Sequence, residues 1–339
     1  MIVPAMFRSD SRRRSTRHRI QLCFAVMVTL AFGWACDGAS TQPDPTTEPP
    51  IEPPAALGGV GILGDSNADE YRADDNRGGA YAATTLNWVE LLVRLRDIDV
   101  GDWGQRPEPR RGGYAYNWAR SSATAATLIQ GGQHTGLAMQ IREGLVDTAI
   151  IDIGSNDFNG SRYASIYDGT VSGGALDQKL DEFVAHVTEA VDTVLDAGAS
   201  RVILALRFDP GLDPTVLQQF PDPDRRQRVS DAIARVNAAL EARGRARGIA
   251  VWDQNAFAQS LLHLLSPNLT LNVGGREIKL AERGNEPHHA RLDDAAGHAG
   301  TVMGGLMANA IFIGALKTAY GIEIEPLSVE EILKAAGID

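Results

Sequence analysis

Short apolar runs and longer segments of helical period alternate from Leu57 to Asp339. Val60–Leu63, Ile98–Val100, Thr148–Ile153, Arg201–Leu206 and Ile249–Trp252 are runs of strand length, and near-continuous apolar strands belong to parallel sheets covered on both faces. Between them, Leu180, Phe183, Val184, Val187, Val191 and Val194 recur on one helical face, and Val229, Ile233, Val236 and Leu240 on another. That is the spacing of amphipathic helices. Thr301–Tyr320 predicts a last helix packed on the sheet. Strands and helices in turn predict a parallel α/β domain. One piece breaks the alternation: Leu269–Val273 and Arg276–Leu280 flank Gly274-Gly275, which predicts a β-hairpin. No internal repeat is present.

The N-terminal residues follow another pattern. Arg8, Arg12, Arg13, Arg14, Arg17 and Arg19 precede an apolar run of 13 residues, Leu22–Trp34. This is too short to span a bilayer but suits a signal-peptide core. Ala35-Cys36 then resembles the end of a bacterial lipoprotein signal, with Cys36 as the lipidated residue, although Gly33 and Trp34 stand where such signals usually carry Leu and a small residue. Cleavage near Ala35 and release is the alternative. Residues 37–56 hold Pro43, Pro45, Pro49, Pro50, Pro53 and Pro54 among Thr, Asp and Glu, a composition that cannot bury a core and predicts an extended tether. The expected organisation is therefore signal 1–36, linker 37–56 and one domain from 57 to 339.

Charge narrows the partners. Removing residues 1–35 takes six arginines and one aspartate from the chain's 32 basic and 43 acidic residues, leaving 26 and 42, a net of −16. Such a surface argues against nucleic acid and against adhesion to anionic lipid, so membrane contact is expected only through Cys36. The two cysteines are Cys23 and Cys36, so the domain offers no disulfide, thiol nucleophile or thiolate metal site.

The candidate chemistry begins at Gly64-Asp65-Ser66, a turn-prone triplet closing the first apolar strand. A serine there sits where open α/β sheets place their sites. Gly59 to Gly64 also matches G-x-G-x-x-G, but the last glycine ends a strand instead of opening a helix, so the dinucleotide mechanism does not apply. No G-x-S-x-G is present either, which excludes the nucleophile elbow of α/β-hydrolases. Three later segments join the triplet: Asn117–Thr124, Gly154-Ser155-Asn156-Asp157, and Asp293 to His298. Singly, each has an ordinary structural reading; Asn and Asp after a strand, for instance, favour turns and helix caps. In this order the four segments resemble the blocks of the SGNH (GDSL-type) hydrolase family.

The resemblance implies a flavodoxin-like three-layer fold with a mainly parallel five-stranded sheet, the hairpin being an insertion before the histidine block. It implies a Ser66–His298–Asp294 triad, an oxyanion hole made by the N–H groups of Ser66 and Ser122 and the amide of Asn156, and no cofactor or metal. Two departures stand out. Ser122 occupies the place of a family glycine and is expected to settle in a backbone conformation open to all residues. The family places Asp three residues before His, where this chain has Ala295. Asp294 then needs a one-residue adjustment, for which Gly297 has the freedom, and Asp293 needs two. His288, His289, Asp293 and Asp294 offer a rival metal site, but adjacent histidines in a strand point apart. Asp157, Asp209, Asn285 and His134 are expected to be structural.

The activity implied is serine-dependent hydrolysis of a small-molecule or glycan ester, short-chain or carbohydrate-linked. The lean to carbohydrate rests on Trp88, Trp103, Trp118 and Tyr116 near the early blocks. Transfer of an acyl group to a surface glycan, and a catalytically weak surface-binding lipoprotein, are the alternatives.

Overall fold

The computed structural model describes residues 56–73 and 77–339. The chain divides into two units, Met1–Ile51 and Glu52–Asp339, and the described residues lie in the second. The signal-type segment with Cys36, and residues 37–55 of the linker, lie outside the described residues.

Among the described residues eight strands occur: β1 (Val60–Gly64), β2 (Trp103–Gln105), β3 (Gly112–Tyr114), β4 (Thr148–Asp152), β5 (Arg201–Ala205), β6 (Ala250–Trp252), β7 (Thr270–Val273) and β8 (Arg276–Lys279). The sheet is parallel in the order β1-β4-β5-β6, while β2–β3 and β7–β8 are antiparallel pairs. Successive strand side chains point to opposite faces, and two cores result. Val60, Ile62, Ile150, Ile203, Ala205, Ala250 and Trp252 pack with helix Trp88–Arg96 and the helical run from Thr301 to Tyr320. Leu63, Ala149, Ile151, Val202 and Leu204 pack on the other face with helices Gly173–Asp196 and Pro223–Arg247. The layers are helix, sheet, helix. The apolar faces predicted at Leu180–Val194 and Val229–Leu240 are the ones these two helices bury.

The sheet has four strands, not five, and Ile98–Val100 is not one of them. That segment makes only single contacts: the Asp99 carbonyl accepts from Val60 N–H at 2.7 Å and the Val100 carbonyl from Tyr116 N–H at 2.8 Å. The open edge of β1 is met by one parallel bridge, Ile62 to Asn117. The ladder stops there because the Asn117 side chain folds back, donating to the Ala68 carbonyl at 2.8 Å and accepting from Ala119 N–H at 3.0 Å. Pairing is thus exchanged for a turn that carries residues 119–124 over the end of β1.

The hairpin forms as β7–β8. The Thr301–Tyr320 helix is neither continuous nor the last: it runs Thr301–Ala308, passes through a π-helical stretch Asn309–Gly314 and resumes at Ala315–Tyr320, and a short helix Val329–Ala335 follows, capped by Ser328. Asn309 accepts from Leu327 N–H at 2.7 Å and donates to the Leu327 carbonyl at 2.9 Å, so the irregular turn coincides with the point where the helix grips the C-terminal segment.

Candidate active site

The serine and amide loops leave the sheet at its carboxyl edge, while Asp294 and His298 come from the loop before the helix at Thr301. β1 ends at Gly64 and delivers Asp65-Ser66-Asn67; β4 ends at Asp152 and delivers Gly154-Ser155-Asn156. Asp65 is fully buried and binds the two loops together. Its Oδ2 accepts from the N–H groups of Gly154 and Ser155 at 3.3 and 2.9 Å, and its Oδ1 accepts from Asn67 N–H at 3.1 Å. Asn67 Nδ2 then donates to Ser155 Oγ at 2.8 Å. Burial first, and then the neighbouring Asp152 carboxylate, push the Asp65 carboxyl above its ordinary value, against the N–H groups that lower it. Gly154 has φ of 121°, and a Cβ there would lie 2.7 Å from Phe183 and Arg207, so only glycine serves this turn.

Ser66 and His298 are both buried, and Ser66 Oγ lies 2.7 Å from His298 Nε2. His298 Nδ1 lies 2.8 Å from Asp294 Oδ2. The other carboxylate oxygen, Asp294 Oδ1, accepts from the N–H groups of Ala296, Gly297 and His298 at 3.1, 2.6 and 3.3 Å. Gly297, with φ of 66°, takes up the additional residue between carboxylate and imidazole. The loop closes at its base, where Leu292 N–H donates to the His298 carbonyl at 2.7 Å. Half-burial alone would raise the Asp294 carboxyl, but the hydrogen bond and charge of His298, with the backbone N–H groups, hold it down at about 2. The carboxylate therefore stays charged at neutral pH beside the ring. Asp293 is exposed, and no bond from its side chain to His298 is present.

The oxyanion candidates are arranged less symmetrically. Asn156 lines the same cavity as Ser66 and His298, whereas Ser122 is exposed and does not. Asn156 Nδ2 donates to the Ala123 carbonyl at 3.0 Å, fixing the amide against the loop that carries Ser122; an amide has a second N–H to offer. Among the described residues the N–H groups of Ser66 and Ser122 meet no acceptor, while Asn67 and Ser121 donate to Asp65 and Asp69 at 3.1 and 2.7 Å. Asp157 Oδ2 accepts from Ala125 N–H at 3.1 Å, a structural role as expected.

Ser122 departs from its expected conformation. Its φ is 69°, in the left-handed region, so serine has kept the backbone shape that favours glycine instead of relaxing from it. That shape costs a non-glycine residue about 1 kcal/mol. Ser122→Gly removes the cost but adds freedom to the unfolded chain, worth roughly 0.5–1 kcal/mol. The variant is expected to melt within about 2–4 °C of wild type. Because the N–H already has the left-handed placement, any ester turnover should change less than about tenfold. A gain above a hundredfold would show that serine distorts the loop.

Arg77 was not foreseen. Its guanidinium donates to the Ser66 carbonyl at 3.0 Å and to Ser121 Oγ at 3.1 Å, and lies 4.9 Å from the centre of the Tyr71 ring. Tyr71 donates to the Ala299 carbonyl at 3.0 Å and meets the His298 ring edge-on at 6.0 Å. This one side chain joins the serine loop, the Ser122 loop and the flank of His298; nothing in the local spacing announces it.

The rival metal site does not assemble. His288 lies in a turn and His289 in an isolated parallel bridge to Lys279, with ring centroids 4.5 Å apart, so the two rings do not point apart as in a regular strand. His289 faces Glu286 at 3.2 Å, while Asp294 is taken by His298. Among the described residues no group of three or more His, Cys, Asp or Glu is placed to hold a metal ion. Trp88, Trp103, Trp118 and Tyr116 do not line the cavity. Trp88 is core, Trp118 Nε1 bonds Gln140 at 2.8 Å, and Trp103 lies under the Arg72 guanidinium; the lean to carbohydrate loses its footing with them.

A serine, an imidazole and a carboxylate in hydrogen-bond sequence at a sheet edge, beside a lateral amide, define a site equipped for nucleophilic acyl chemistry. No family model matches the chain, and no curated protein does. Among solved structures it is similar to Axe2, an acetylxylan esterase from Geobacillus stearothermophilus, at 18% identity and TM-score 0.42, over 79% of this chain and 97% of that one. It is also similar to a protein from Bacteroides fragilis NCTC 9343 provisionally assigned as an acylhydrolase, at 15% identity and TM-score 0.36, over 77% and 87% of the two chains.

Proposed function

We propose that this chain is an exported serine ester hydrolase. The observation that carries the reading is the continuous chain Ser66 Oγ–His298 Nε2 and His298 Nδ1–Asp294 Oδ2, with links of 2.7 and 2.8 Å, opening into a cavity. A free hydroxyl is a weak nucleophile. With His298 accepting its proton, Ser66 Oγ attacks the acyl carbon, and the carbonyl electron pair moves to oxygen. The N–H groups of Ser66 and Ser122 and the Asn156 amide serve as donors to that oxygen, each worth about 3–4 kcal/mol in comparable sites. His298 passes the proton to the departing alkoxide, which leaves as an alcohol. Water, deprotonated by the same ring, then releases the acid and restores Ser66. Asp294 holds Nδ1 protonated, so that Nε2 is the free base.

Full-length protein assayed against p-nitrophenyl esters and acetylated glycans tests the reading. Turnover that a serine-directed organophosphonate abolishes supports it, and silence across the whole panel sinks it. The Arg-rich start, apolar run and Ala35-Cys36 support export with a lipid anchor at Cys36. Metabolic palmitate labelling that persists in Cys36→Ser would refute the anchor.

A further inference from the structure

The cavity behind Ser66 is far larger than an acetyl group needs. Its volume is about 300 Å³, and its inner wall is apolar: Phe257, Leu261, Leu271, Leu280, Met303 and Met307 line it. Three elements supply these side chains. Helix Gln254–Leu262, held at its start by Asp253 Oδ1 on the N–H groups of Asn255 and Ala256 at 2.8 and 3.2 Å, has no fully buried residue. Phe257 and Leu261, one turn apart on one face, are only half-buried because that face looks onto the cavity. The β7–β8 hairpin contributes Leu271 and, just beyond it, Leu280. Met303 and Met307 are also one turn apart, on the helix that starts three residues after His298. Their face leads away from the imidazole for about 9 Å at 1.5 Å per residue between Thr301 and Met307.

Five charged side chains share the wall, Asp152, Arg207, Asp213, Arg283 and Arg291, and four of them are paired with one another. Arg207 pairs with Asp152 at 3.1 Å, Arg291 with Asp213, and Arg283 donates to the Asp294 carbonyl at 3.1 Å. An apolar wall of this depth serves water poorly, since a water molecule needs two or more polar partners. It serves a flexible alkyl chain well, and methionines adapt to such chains.

We propose that this cavity holds the acyl chain of the substrate, and that the chain is medium-length, about six to eight carbons for a wall about 9 Å long. The inference rests on the esterase reading. The ester carbonyl sits at Ser66 and Asn156, the alcohol leaves toward solvent, and the alkyl tail lies along Met303 and Met307 toward Phe257, Leu261 and the hairpin.

A chain-length series of p-nitrophenyl esters, acetate to dodecanoate, tests this with the full-length protein. kcat/KM is expected to climb about three- to fourfold per methylene as far as hexanoate or octanoate, the gain expected for burying CH₂ groups, and then to level or fall. Met307→Trp, which fills the cavity from the helix, should lower the octanoate-to-acetate ratio more than about thirtyfold. Leu261→Trp fills it from the opposite wall and serves if the first variant folds poorly; a circular-dichroism melt tells the two cases apart. Acetate turned over as fast as octanoate, with plugged variants keeping the wild-type ratio, overturns the acyl-chain proposal and leaves the esterase reading standing. Failure to hydrolyse any ester overturns both.

Discussion

Ser66→Ala in the full-length chain is expected to cut ester turnover by about 10⁴-fold or more, since a triad without its nucleophile keeps only what binding and the oxyanion donors supply. The fold should survive. The hydroxyl contributes one side-chain hydrogen bond, to His298 Nε2 at 2.7 Å, and a single such bond is worth roughly 0.5–1.5 kcal/mol net. The Ser66 carbonyl keeps its bond from Arg77, and Asp65 still ties the loop to Gly154 and Ser155. For a domain of this size the melt should therefore fall by only about 2–4 °C. A serine-directed organophosphonate should add to Ser66 in the wild type and to nothing in the variant. Labelling at another serine, or an Ala variant with a tenth of the wild-type rate, would sink the assignment of the nucleophile.

What the sequence disclosed about this site follows the range over which each residue acts. Ser66 and Asn156 could be singled out because each is delivered by a local event: a strand ends, a turn follows, and the side chain emerges at the sheet edge; His298 follows no strand of the sheet and was singled out only through the resemblance of its block. The sheet itself was legible where apolar runs are continuous, as at Thr148–Ile153. Ile98–Val100 has the same composition but is not a strand, because the edge beside β1 went to Asn117, whose side chain bonds only become apparent once Ala68 and Ala119 are in place. Ser122 was misjudged for a related reason: its φ is imposed by loops that meet across the fold, including the Asn156–Ala123 bond between residues 33 apart. Arg77 and the apolar cavity were not legible at all. Met303 and Met307 lie in the segment expected to pack on the sheet, and nothing in the spacing of Phe257 and Leu261 marks them; only the assembled walls bring these four side chains together around one cavity.

The acid of the proposed triad is the point on which the sequence was ambiguous, and the distances favour Asp294. Asp294 reaches His298 Nδ1 at 2.8 Å, whereas Asp293 is exposed. Asp294→Asn should lower kcat by about 10²–10⁴-fold, for a reason of tautomer as much as charge. An asparagine here can still accept from Ala296, Gly297 and His298 through its oxygen, so the loop keeps its shape. Its Nδ2 then faces the ring and donates to Nδ1, which moves the imidazole proton to Nε2. A ring protonated at Nε2 cannot take the proton of Ser66. Asp294→Ala loses the tautomer control and the three backbone acceptor bonds together, so its melt should fall below that of the Asn variant. Asp293→Asn should change kcat less than about threefold, as exposed substitutions usually do little. The order of the two Asn variants carries the test. If Asp293→Asn is the damaging one, the loop rearranges in solution so that the nearer carboxylate is the wrong one. If neither matters, Ser66 and His298 act as a dyad, and the carboxylate whose pKa sits at about 2 beside the ring holds the loop without holding the proton.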